Sequence, residues 1–100
     1  QKFGVHPDQV IDLLEEMSQL SRLRILGLMT IGLLSEDKEK VAQCFELTRA
    51  LFERAKQHFA GHARVKMQYL SMGMTQDYEI ALEHGSNMIR VGSAIFEEKL

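Results

Sequence analysis

The sequence predicts an α/β fold: three parallel strands, each reached through a covering helix. Two observations carry this. Helical stripes and short apolar runs succeed one another in the order α-β-α-β-α-β-α within 100 residues. Each helix is followed within a few residues by a strand, the pattern of βαβ crossovers. The second observation is a pair of small-residue turns, Ser71-Met72-Gly73 and Arg90-Val91-Gly92-Ser93, each after an apolar strand and each opening a helix. Turns of this kind, at the carboxyl ends of neighbouring strands, present free N–H groups and a helix N-terminus to an anion.

Pro7 and Asp8 begin the first helix, with Val10, Leu13, Leu14, Met17 and Leu20 as its buried stripe. Leu23 to Ile31 is a near-continuous apolar run, read as a strand covered on both faces. Ser35 caps the second helix, and Glu36 and Asp37 suit the dipole of its first turn. Its stripe is Val41, Cys44, Phe45, Thr48, Leu51, Phe52, Ala55 and Phe59, and Gly61 ends it. Val65 to Leu70 is the second strand. Thr75 caps the third helix, which stops at Gly85. Met88 to Val91 is the third strand, and Ser93 to Phe96 begins a last short helix.

A net charge of -2 with mixed signs gives no footprint for nucleic acid or an anionic membrane. The longest apolar runs, about four to five residues, fall far short of the roughly 20 that span a bilayer, and no signal or transit segment is visible. The lone Cys44 sits on an apolar stripe as a core residue. One cysteine beside six methionines fits a reducing cytoplasm. The chain opens on Gln1 and has less than half of the roughly 200 to 250 residues of a complete (β/α)8 barrel. It therefore reads as part of a longer protein.

Ser71 with Gly73 admits two readings: a hydroxyl and N–H groups aimed at phosphate oxygens, or a serviceable strand-to-helix turn. Gly92 allows close backbone approach to a ligand, and Ser93 both caps a helix and offers an O–H. Arg90 either points inward, which is costly unless it meets a ligand or an acid, or points outward to pair with Glu79 or Glu83. His58 and His62 stand at i, i+4, but Gly61 interrupts the helix, so no metal site is assigned. His6 and His84 are solvated helix-end residues. Glu15-Glu16 and Glu36 to Lys40 are solvated charge runs. No catalytic residue is assigned.

Leu70 to Glu79, Gly85 to Phe96, Arg24 to Ile31 and Lys2-Phe3-Gly4 together resemble the pyridoxal 5′-phosphate (PLP) homeostasis family, small alanine-racemase-like proteins that bind PLP on a TIM-type barrel. The resemblance implies that residues 1–100 are the carboxyl-terminal portion of such a barrel. It implies cofactor contacts at Ser71 (phosphate, through its side chain), Gly92 and Ser93 (phosphate, through N–H and hydroxyl) and Arg90 (pyridine nitrogen). Arginine is a donor only, so a ring nitrogen accepting from it stays unprotonated and is a poor electron sink. This suits a carrier or buffer of the cofactor more than an enzyme. The alternatives are a racemase-like PLP enzyme and a phosphate-binding barrel protein that does not take PLP. Racemases add a second domain with a catalytic tyrosine, whereas this sequence ends soon after Arg-x-Gly-Ser, which favours the carrier. Thr75, Asn87 and Glu97-Glu98 depart from the family wording, where Ser, Thr and Gly are usual. The family's Schiff-base lysine lies upstream of Gln1, and none of Lys2, Lys38, Lys40, Lys56, Lys66 or Lys99 matches it. The expected partners are PLP and either the rest of the barrel or another copy that completes it.

Overall fold

The computed structural model describes residues 4–31 and 35–90. A 3-10 turn, Pro7–Gln9, leads into α1 (Val10–Met17); then follow β1 (Ile25–Met29), α2 (Lys38–His58), β2 (Val65–Met74), α3 (Tyr78–Glu83) and β3 (Met88–Arg90). The three strands form one parallel sheet in the order β1-β2-β3. The α/β alternation and the parallel pairing are therefore as the sequence predicts. The final helix expected from Ser93 lies outside the described residues, as does Lys2-Phe3.

The α2 stripe makes the core. Val41, Phe45, Leu51, Phe52, Ala55 and Phe59 are all buried, against Val65, Met67, Leu70 and Met72 of β2 and Ala81 of α3. Val10 and Leu14 of α1 join the same cluster. Cys44 and Thr48 flank it, half-buried, and the Thr48 hydroxyl donates to the Cys44 carbonyl (3.0 Å).

Several local expectations are corrected. Asp37, not Ser35, caps α2: its carboxylate accepts from the N–H of Glu39 and of Lys40. Ser35 instead takes the Asp37 N–H (3.0 Å), one step outside the helix. Removing a cap of this kind costs about 1 kcal/mol, so Asp37→Ala should lower thermal stability by that much while Ser35→Ala changes it less, as measured by denaturant unfolding.

The first helix ends at Met17, short of Leu20, and both Leu13 within it and Leu20 beyond it are exposed. Ser18 closes it, its hydroxyl donating to Glu15 (2.7 Å) and its carbonyl accepting from Arg64 (3.0 Å). Glu15 is not merely solvated, because its carboxylate meets the His58 ring and ties α1 to the end of α2.

The apolar run around β1 is covered on one side only: Leu26, Met29 and Ile31 are exposed, Met29 at 63%. β1 stands at an edge of the three-stranded sheet, and the described helices cover one face. Finally, β2 extends through Met74, and α3 begins at Tyr78 rather than after Thr75. Asp77 causes the delay. Its carboxylate accepts from the Met74 N–H (2.8 Å), closing the turn one step before the helix can start.

Candidate functional site

The carboxyl ends of the three strands meet around one side chain. Arg90, the last residue of β3, crosses β2 and reaches the end of β1. Its Nη1 donates to Ser71 Oγ (2.6 Å) and its Nη2 to the carbonyl of Thr30 (3.0 Å). The Thr30 N–H in turn donates to the Ser71 carbonyl (3.0 Å). Ser71 is thus held from both flanks, paired in register with Met29 of β1 and Met88 of β3.

Strand alternation explains the placement. Leu70 and Met72 are fully buried toward the helices, so Ser71 between them faces the opposite side of the sheet. Arg90 meets it there, half-buried. Of the two readings of Arg90, the pairing with Glu79 or Glu83 is not seen: both are exposed, and among the described residues neither is its ion-pair partner. Both of its acceptors are neutral. Among the described residues, then, a guanidinium sits at the strand ends with no carboxylate against it.

The chemistry open to this arrangement follows from the donor inventory. A guanidinium carries five N–H donors, and the two bonds above use two. Ser71 accepts from Arg90, so its own O–H remains a donor. The site offers hydrogen bonds to an acceptor and positive charge to an anion.

Gly73 has a different role from Ser71. Its φ is +103°, and a Cβ there would meet the Ala81 Cβ at 2.8 Å. It lets the strand turn and lets α3 pack closely, and that packing accounts for the glycine. Gly92 and Ser93 lie outside the described residues.

Thr30, Ser86 and Asn87 escape a reading of the sequence. Thr30 acts through a backbone carbonyl, which leaves no trace in residue type. Ser86 and Asn87 bond the backbone of β2. Their one signal is the pairing of two small polar residues between a helix-stopping glycine and a strand. Among the other candidates, His62 accepts from the Arg64 N–H (3.0 Å), and His84 approaches Glu46 at 3.4 Å, joining α3 to α2 rather than standing free in solvent. His6 caps the 3-10 turn through the Asp8 N–H.

Comparison with known proteins places this geometry in a family. The family model described as the alanine racemase N-terminal domain matches residues 1–99. Curated relatives named pyridoxal phosphate homeostasis protein include those of Helicobacter pylori, 35% identical over 97% of this chain and 40% of its own length, and Aquifex aeolicus, 35% identical over 98% and 41%. The chain thus spans about 40% of the length of these relatives. Among solved structures, an unknown protein from Bifidobacterium adolescentis superposes with a TM-score of 0.88 at 33% identity, covering 96% of this chain and 38% of that one. PipY of Synechococcus elongatus, solved with PLP bound, superposes with a TM-score of 0.79 at 30% identity, covering 93% and 42%. The expected label of a carboxyl-terminal portion is corrected by the family match, since the matching domain is an amino-terminal one in the racemase. With its parallel βαβ order and its match over residues 1–99, the chain belongs to the family of the alanine racemase N-terminal domain.

Proposed function

We propose that this chain forms part of a PLP site in a protein of cofactor homeostasis, with Arg90 toward the ring nitrogen and Ser71, Gly92 and Ser93 toward the phosphate. The observation that carries the reading is the Arg90–Ser71–Thr30 arrangement, a charged donor held by neutral acceptors at the carboxyl ends of three parallel strands. Such a donor set suits a ligand with a phosphate at one end and an acceptor nitrogen at the other. The PLP bound to PipY and the names of the curated relatives point the same way.

When bound, PLP would supply an electrophilic aldehyde and an aromatic ring able to delocalise charge. The residues of this chain bind and orient. Ser71 donates its free O–H to the phosphate. Arg90 donates to the ring nitrogen and gives it no proton to hold, which restrains carbanion chemistry and favours storage or delivery over turnover. The three strands form one sector of a TIM-type barrel. Their open face, with Met29, Tyr69 and Met88 exposed, is covered by the rest of that barrel or by another copy. No helix among the described residues is long and apolar enough to cross a membrane, and the lone cysteine fits a cytoplasmic setting.

The test is a titration of the full-length protein with PLP, pyridoxal and inorganic phosphate, followed by absorbance and calorimetry. PLP should bind with a spectral change, pyridoxal should bind roughly tenfold or more weakly for want of the phosphate contacts, and phosphate should compete with PLP. Phosphate binding with no spectral response to PLP would favour the phosphate-binding barrel instead. Exchange of the Cα proton of an added amino acid at enzymatic rates would favour the racemase.

A further inference from the structure

We infer that Ser86 and Asn87 are positioning residues: together they clasp the start of β3 to β2 in the register that lets Arg90 reach Ser71 and Thr30. The binding part of this inference rests on the cofactor reading above; the structural part rests on the geometry alone.

β3 begins at Met88, opposite Ser71, so upstream of that pair β2 has no strand residue of β3 beside it. Asn87 fills the gap. Its N–H donates to the Leu70 carbonyl (3.1 Å), its Oδ1 accepts from the Leu70 N–H (2.8 Å), and its Nδ2 donates to the Gln68 carbonyl (2.9 Å). The side-chain amide supplies one acceptor and one donor where a neighbouring strand's backbone would supply them. Ser86 holds the other side. Its hydroxyl, in a residue only 7% exposed, lies 2.7 Å from the Met72 carbonyl, 3.0 Å from that of Met88 and 3.3 Å from that of Leu70. A single proton serves one acceptor at a time, and the shortest approach is to Met72. The β2 backbone is therefore gripped at Leu70 and Met72, the two neighbours of Ser71.

The ladder beyond this point needs such a grip. β3 has three residues, and its pairing with β2 shifts from Ser71↔Met88 to Met74↔Arg90. A strand that short, with an irregular ladder, specifies its own register weakly. A slip of one residue would turn Arg90 to the helix-covered face, because successive side chains alternate sides. Closing α3 is a separate task, performed by the Ser86 N–H on the Ala81 carbonyl (3.0 Å). The Ser86 and Asn87 side chains are aimed at β2.

The test is a double-mutant cycle in the full-length protein with Asn87→Ala, Arg90→Ala and both together. PLP affinity is read by absorbance titration, and amide hydrogen exchange is read without cofactor. Asn87→Ala should weaken PLP roughly tenfold, as contacts coupled through one network do. In the Arg90→Ala background the same change should add nothing. Asn87→Asp keeps an oxygen for the Leu70 N–H but loses the donor to Gln68, and should fall between wild type and Asn87→Ala. Additive losses, or unchanged affinity in both Asn87 variants, would overturn the inference. If Asn87→Ala loses its cooperative thermal transition, Ser86→Ala takes its place in the cycle with the same expectation. A wild-type protein that does not bind PLP would defeat the cofactor reading alone. The clasp is then decided by exchange: in Asn87→Ala, protection at the Met72 and Met88 amides should fall roughly tenfold more than at Leu28, and an equal fall at all three would refute it.

Discussion

Arg90→Ala in the full-length protein is expected to weaken PLP binding by about 10- to 100-fold, the equivalent of losing a hydrogen bond from a charged donor at roughly 1.5–3 kcal/mol. Two losses combine. The ligand loses its charged donor, and Ser71 and Thr30 lose the group that joins them across the sheet. Arg90→Lys separates these. Lysine restores a positive charge but not the planar fork, so it cannot hold an oxygen on β2 and another on β1 as the guanidinium does. It should regain part of the attraction for phosphate while the affinity for PLP stays low. Titrating both variants with PLP and with inorganic phosphate measures the two contributions. Wild-type affinity for PLP in Arg90→Ala would remove the guanidinium from the site.

The sequence was most legible where the signal is periodic. The α2 stripe from Val41 to Phe59 fixed which face of the helix is buried, and the stops at Gly61 and Gly85 separated helix from strand, as their φ values of +80° and +97° bear out. Ser71 stood out as the start of a Ser-Met-Gly turn after a strand, and Arg90 as a lone arginine in a short apolar strand. Thr30 could not stand out, since any residue supplies a carbonyl. Ser86 and Asn87 were equally silent: their bonds run to β2 residues 14 to 19 positions away and follow no local period. The run around β1 was over-read for another reason. Leu23 to Ile31 has the same apolar wording whether its second cover is a described helix or a segment beyond the described residues. Thr75 misled locally because a hydroxyl residue just ahead of a helical stretch looks like its cap, whereas here Asp77 closes the turn onto Met74 first.

The largest effect on stability is expected from Gly27→Ala. Gly27 pairs with Tyr69 where the β1–β2 register slips, Ile25↔Val65 giving way to Gly27↔Tyr69. A Cβ there would be driven into the Tyr69 carbonyl, with the carbonyl carbon 2.8 Å away and the Tyr69 Cα at 3.1 Å. These are backbone atoms of the central strand, so no rotamer change relieves the contact and β1 must move away from β2. Overpacking of this kind typically costs about 1–3 kcal/mol, and an obstacle made of backbone belongs at or beyond the upper end of that range. For a domain of barrel size that is a fall in Tm of roughly 2–4 °C per kcal/mol. Gly61→Ala provides the comparison, because a Cβ at Gly61 meets nothing within 4 Å and its φ of +80° imposes only local strain, of order 1 kcal/mol. Calorimetric unfolding of the two variants should therefore rank Gly27→Ala well below Gly61→Ala. β1 also carries the Thr30 carbonyl that steadies Arg90, so Gly27→Ala should weaken PLP binding even at temperatures where it remains folded, while Gly61→Ala leaves binding unchanged. Equal stability of the two variants would mean that β1 and β2 are not in the close contact that links Thr30 to the site.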